Sequence, residues 1–207
     1  MRLPRTVTVG IAVVTGALWL LVELMGATNQ TAVAIGLIPA RLSGLDIPSL
    51  VPAWLTPLTS TLVHGSFLHL LFNMLMLVWC GSAVERGLGS KSLVILYLVG
   101  AYAAAVAQWL SAPGSMTPVI GASGAVSAVI GAFALSFGQT RQIVPSARLN
   151  RWLNALWLMA AWVAMQIMIA WAAGSQGVLL ATPAHVGGFL AGMLLQRPLL
   201  LWRYRDA

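Results

Sequence analysis

A chain of 207 residues that is 59% hydrophobic and 7% charged cannot leave so much apolar surface in water, which excludes an ordinary soluble domain and makes this a membrane protein. Its formal net charge of +7 does not signal nucleic acid, because the basic residues stand singly between apolar runs and form no stripe or patch. Cys80 is the single cysteine, so an internal disulfide and a multi-cysteine metal site are both excluded.

Crossing a hydrocarbon core of roughly 30 Å takes about 20 mainly apolar residues. In chain order, six segments meet that requirement: 7–25, 61–81, 92–110, 120–137, 153–173 and 183–202. The first follows Arg2 and Arg5 but lacks a convincing small-residue cleavage site, so it reads as a retained span and not as a signal peptide. Between the first two spans, residues 26–59 carry Pro39, Pro48, Pro52 and Pro57 among apolar stretches. That segment is too broken to cross and reads as an interfacial loop, with Trp54 suited to the membrane surface.

With the N-terminus inside, Arg2, Arg5, Arg86, Lys91, Arg141, Arg148, Arg151, Arg197, Arg203 and Arg205 fall on the cytoplasmic side and only Arg41 outside. This positive-inside bias agrees with an even number of spans and with both termini in the cytoplasm. Every other connection is short and no repeat is evident, so residues 1–207 read as one all-α membrane domain.

All three histidines, His64, His69 and His185, fall within expected spans, where ionisable groups are costly and face protein or water. In this topology they lie toward the outer leaflet together with Ser123. Ser123, Ser127 and Gly131 form a small-residue stripe four apart, and Ala184, Gly188 and Gly192 form another. Such stripes allow two membrane helices to approach backbone to backbone. His69 and Asn73 are also four apart and share a helix face, whereas His64 is turned away or sits in the preceding turn and reads as structural.

A neutral imidazole can take a proton from a serine hydroxyl, which makes His185 the candidate base for Ser123. The only carboxylates are Glu23, Asp46, Glu85 and Asp206, at span ends, in a loop or at the terminus, so the chemistry points to a Ser-His dyad without an acidic third member. Amides at the start of the helix near Ser123, with side chains from His69 and Asn73, are the candidate donors for an oxyanion. Residues 174–182, just ahead of His185, are a candidate movable cap.

These residues resemble the rhomboid family of intramembrane serine proteases from about Trp54 onward. The carrying motifs are His-x4-His-x3-Asn at His64, His69 and Asn73; Gly-x-Ser-Gly at Gly121 to Gly124; and Ala184-His185 with Gly188 and Gly192. The resemblance implies a six-helix bundle with Ser123 as nucleophile and His185 as general base. It further implies that His69, Asn73 and the Ser123 backbone N–H stabilise the oxyanion, and that Glu85 and Arg86 are structural.

The implied substrates are transmembrane proteins cut toward the outer face of the bilayer, in or near a transmembrane segment. No cofactor and no nucleic-acid partner are implied, and the implied location is a bacterial plasma membrane. Two departures stand out: Leu55 follows Trp54 where the family commonly has arginine, and Ser127 stands where many members place an aromatic against the catalytic histidine.

A non-catalytic relative need not retain both Ser123 and His185. A histidine-relay transporter is disfavoured by the missing repeat. A phosphate loop lacks its lysine, and a three-histidine metal site lacks a carboxylate and a shared face.

Overall fold

The computed structural model describes residues 7–138, 141–172 and 181–206. Ten α-helices carry these residues: α1 (Val7–Leu24), α2 (Thr28–Ile35), α3 (Pro39–Leu42), α4 (Thr56–Thr59), α5 (Phe67–Met76), α6 (Ser82–Leu88), α7 (Ser90–Ser111), α8 (Ser123–Phe137), α9 (Ala147–Ala172) and α10 (Thr182–Arg203). A π-helical turn, Leu77–Gly81, joins α5 and α6 into one continuous rod. Among the described residues there is no β-strand, only an isolated antiparallel bridge between Leu37 and Val119.

Among the described residues, three helical stretches are long and apolar enough to cross a membrane: Val7–Leu24, Phe67–Leu88 and Ser90–Ser111. Helix α8 is apolar but shorter, at 15 residues. The remaining long helices, α9 and α10, overlap the segments expected at 153–173 and 183–202 but are not among those three.

Helix α8 is the axis of the bundle. Every residue from Ser123 to Ala132 is buried, and α7 and α10 pack along its sides. Val126, Val129 and Ile130 of α8 meet Leu93 and Leu96 of α7 and Phe189 of α10 in one core cluster. Lipid tails are as apolar as these side chains, so close packing and satisfied polar groups, more than exclusion from water, hold such helices together. Large apolar residues such as Val13, Trp79, Trp157 and Leu194 are instead exposed on the outside, as a lipid-facing surface requires.

Several expected boundaries move, with α8 starting at Ser123 and α9 at Ala147. The second span does not begin as helix at residue 61: a 3₁₀ turn covers Ser60–Leu62, and the regular helix starts at Phe67. The cause is local, because Ser66 adopts an extended conformation and its hydroxyl accepts the His69 amide at 3.2 Å as an N-cap. His64 therefore sits in the linker before the helix. The segment 26–59 is likewise no plain loop, since it folds into α2, α3, a 3₁₀ turn at Ala53–Leu55 and α4. The candidate cap at 174–182 lies, up to residue 180, outside the described residues.

Glu85 ties the first helix to the end of the second rod. Its carboxylate accepts the amides of Val7 at 2.9 Å and Thr8 at 3.0 Å, the Thr8 hydroxyl, and the Ser90 hydroxyl at 2.7 Å. It thereby caps the otherwise unsatisfied amides at the start of α1 with a negative charge.

Candidate active site

The turn that delivers Ser123 is held by backbone pairing with the interfacial segment. Val119 donates to the Leu37 carbonyl at 2.7 Å and accepts from the Leu37 amide at 3.0 Å, and the Gly121 amide donates to the Ser60 carbonyl at 3.0 Å. Gly121 then takes a φ of +112°, and a Cβ there would lie 2.5 Å from Cε1 of His69. Glycine is thus required twice over, by the backbone angle and by the imidazole lying against it. After this bend α8 begins at Ser123, whose own amide is among the leading N–H groups that no earlier helical turn supplies with an acceptor.

Helix α10 brings His185, the candidate base. Pro183 stands in its first turn, where a missing N–H costs nothing. His185 follows within that turn. The α10 stripe packs closely on α8, chiefly against the row of Gly124 and Ala128, one residue on from the expected Ser123 and Ser127. A Cβ on Gly188 would come within 2.1 Å of the Gly124 carbonyl oxygen, and one on Gly192 within 1.8 Å of the Ala128 carbonyl oxygen. No larger residue permits this approach, and its result is a hydrogen bond of 2.8 Å between His185 Nε2 and Ser123 Oγ. Both residues are buried, Ser123 at 6% exposure and His185 at 3%. Nδ1 of His185 has no hydrogen-bond partner among the described residues.

The remaining polar residues gather around the same turn. His69 lies against Gly121, and its ring meets that of His64 edge-on with centroids 5.0 Å apart. His64 Nε2 accepts the Ala122 amide at 3.3 Å. This explains why a histidine read as structural is buried at the turn before Ser123: it satisfies an amide that helix α8 leaves over. Asn73 is fully buried; its Nδ2 donates to the His69 carbonyl at 2.9 Å, and its Oδ1 has no partner among the described residues. Asn73 and His69 are therefore one unit, although the bond joining them runs to backbone.

One contact is absent from the sequence reading. The Ser127 hydroxyl donates to the Ser123 carbonyl at 2.6 Å and accepts the Trp162 indole N–H at 2.7 Å. Trp162 is one of several tryptophans on α9, alongside Trp157 and Trp171, and nothing in its spacing singles it out. The only hint is Ser127 itself, a polar side chain at a buried position.

The Rhomboid domain model matches residues 52–202. The chain is 29% identical over 183 residues to RHOMBOID-like protein 4 of Arabidopsis thaliana, covering 86% of this chain and 41% of that protein. It is 35% identical over 108 residues to Rhomboid protease GluP of Bacillus subtilis, covering 52% of this chain and 20% of the relative. It is 32% identical over 146 residues to Rhomboid protease GlpG of Enterobacter sp., covering 66% and 45%. The chain thus spans less than half the length of each of these relatives. A domain match over most of the chain, together with these relatives, places the protein in the rhomboid family.

Proposed function

We propose that the protein is an intramembrane serine endopeptidase in which Ser123 and His185 form a catalytic dyad. The observation that carries this reading is the 2.8 Å contact between His185 Nε2 and Ser123 Oγ at the buried starts of two interlocked helices. Two of the relatives described above are named as rhomboid proteases, which supports the same class of activity.

The chemistry follows from the geometry. His185 Nε2 takes the hydroxyl proton as Oγ attacks the substrate carbonyl, and then passes that proton to the leaving amine. Water deacylates the enzyme by the same route in reverse. The negative charge on the tetrahedral intermediate meets the Ser123 amide and side-chain donors from His69 and Asn73, preorganised in a site poor in competing water. A helical peptide bond is a poor substrate because its carbonyl is already hydrogen-bonded, so the substrate segment unwinds before attack.

The six helical regions α1, α5 with α6, α7, α8, α9 and α10 are the six spans in this reading, with both termini cytoplasmic on the evidence of the basic residues. The dyad then lies toward the outer leaflet. The substrates are transmembrane proteins cut on that side, and the membrane is the bacterial plasma membrane.

The test is cleavage of a single-span substrate by purified protein in detergent. Ser123→Ala and His185→Ala each lose at least about a thousandfold in rate, and His69→Ala and Asn73→Ala lose part of it through the transition state. Cleavage retained by both folded dyad variants overturns the assignment.

A further inference from the structure

A polar cavity lies where the start of α7 meets the end of α10, at the opposite end of α10 from His185. It measures about 410 Å³, and its lining includes Gly89, Lys91, Trp202, Arg203, Arg205 and Asp206. Three cationic side chains thus face one carboxylate. That carboxylate, Asp206, pairs at 3.2 Å with its neighbour Arg205, both largely exposed, a contact that solvent screens strongly.

Lys91 and Arg203 have no ion-pair partner among the described residues. Arg203 is nevertheless placed: its Cδ, Nε and Cζ each lie 3.5 Å from where a Cβ on Gly89 would stand, and Gly89 holds a φ of +90°. A side chain there would strain the backbone, and the guanidinium lies at ordinary van der Waals distance from that position. Lys91 sits in the first turn of α7, a helix with no acidic residue in that turn and no side-chain cap, where the helix dipole disfavours a cation. Glu85 offers no compensation, because its carboxylate is occupied by the amides of Val7 and Thr8 and by the hydroxyls of Thr8 and Ser90. The cavity therefore gathers Lys91 and Arg203, whose charge no carboxylate among the described residues pairs, beside an amphipathic tryptophan at its rim.

We infer that this cavity binds a phosphate-bearing anion, and that its source is the headgroup of an anionic phospholipid. Guanidinium and ammonium groups suit phosphate oxygens by geometry and charge. Trp202 suits the headgroup level of the bilayer, and basic pockets on the cytoplasmic side face the anionic leaflet. The choice of a lipid rests on the cytoplasmic placement of this face proposed above; the anion site itself does not depend on the protease chemistry.

The experiment is a titration of the full-length protein in detergent, followed by native mass spectrometry, with dioleoyl phosphatidylglycerol or dioleoyl phosphatidylcholine. Phosphatidylglycerol is expected to bind at least about tenfold more tightly. Lys91→Gln with Arg203→Gln removes that preference, while Arg148→Gln, a basic residue outside the cavity, leaves it. Inorganic phosphate separates the sources: persistence of bound phosphatidylglycerol in its presence supports the lipid, and its displacement by millimolar phosphate overturns the lipid assignment in favour of a soluble phosphate. Equal binding of the two lipids, or a preference unchanged in the double variant, overturns the site. Fluorophosphonate labelling of Ser123 is read on the same samples, so that loss of lipid preference with labelling intact rejects the cavity alone, and absent labelling in the parent protein rejects the protease reading alone.

Discussion

Trp162 and Ser127 share a buried hydrogen bond of 2.7 Å that joins α9 to α8, the helix that carries Ser123, and the same hydroxyl continues the chain to the Ser123 carbonyl at 2.6 Å. Because α9 otherwise packs more lightly on α8 than α10 does, this polar link fixes its position against the site. Trp162→Phe removes the donor but leaves Ser127 its bond to Ser123, at a cost of about 0.5–1.5 kcal/mol. Ser127→Ala leaves the indole N–H buried without an acceptor and costs more, about 1–3 kcal/mol. Thermal unfolding in detergent checks the order, and a greater loss in the phenylalanine variant contradicts it.

The approach of α8 and α10 makes a sharper contrast between two glycines. Gly192→Ala places a methyl group on the Ala128 carbonyl, from which a Cβ would stand 1.8 Å, so the helices must separate. The expected cost is about 1–3 kcal/mol or more, together with loss of substrate cleavage as Ser123 and His185 move apart. Gly10→Ala meets nothing within 4 Å and is expected to stabilise α1 by about 0.5–1 kcal/mol. Equal tolerance of the two substitutions in unfolding and cleavage assays contradicts the packing described.

Much of the site is legible in the sequence because it depends on periodicity. Residues four apart share a helix face, so the two small-residue stripes follow from spacing and side-chain size, whereas the register that sets Gly188 on Gly124 and Gly192 on Ala128 does not. The helical boundaries of α1, α7 and α10 likewise follow from apolar runs bounded by proline, glycine or charge. Residues 26–66 escape such reading because their short helices are set by tertiary partners: Leu37 pairs with Val119, and Ser60 accepts from Gly121. Pairings across so many residues leave no local pattern. His64 is the clearest case, since its partner amide at Ala122 lies 58 residues away.

His64→Ala tests that partnership. It strands the Ala122 amide beside Ser123, which costs about 1–3 kcal/mol and loosens the nucleophile turn. The substitution is expected to slow fluorophosphonate labelling without moving the adduct from Ser123, and His64→Gln, which can still present an acceptor, restores part of the rate. Labelling as fast in the alanine variant as in the parent protein contradicts a positioning role.

Glu85→Ala removes the acceptor shared by Val7, Thr8 and Ser90. With hydrogen bonds to a charged group worth about 1.5–3 kcal/mol, α1 is expected to detach first and to become cleavable by added protease under mild heating. Proteolysis that begins elsewhere in the chain contradicts the capping role.

The most direct measurement of the proposed chemistry is the site and rate of fluorophosphonate modification, read by mass spectrometry on folded protein in detergent. A single adduct on Ser123, reduced at least about a hundredfold by His185→Ala, is the expected result. Modification at another residue, or at Ser123 with an undiminished rate in the His185 variant, contradicts a serine activated by that imidazole.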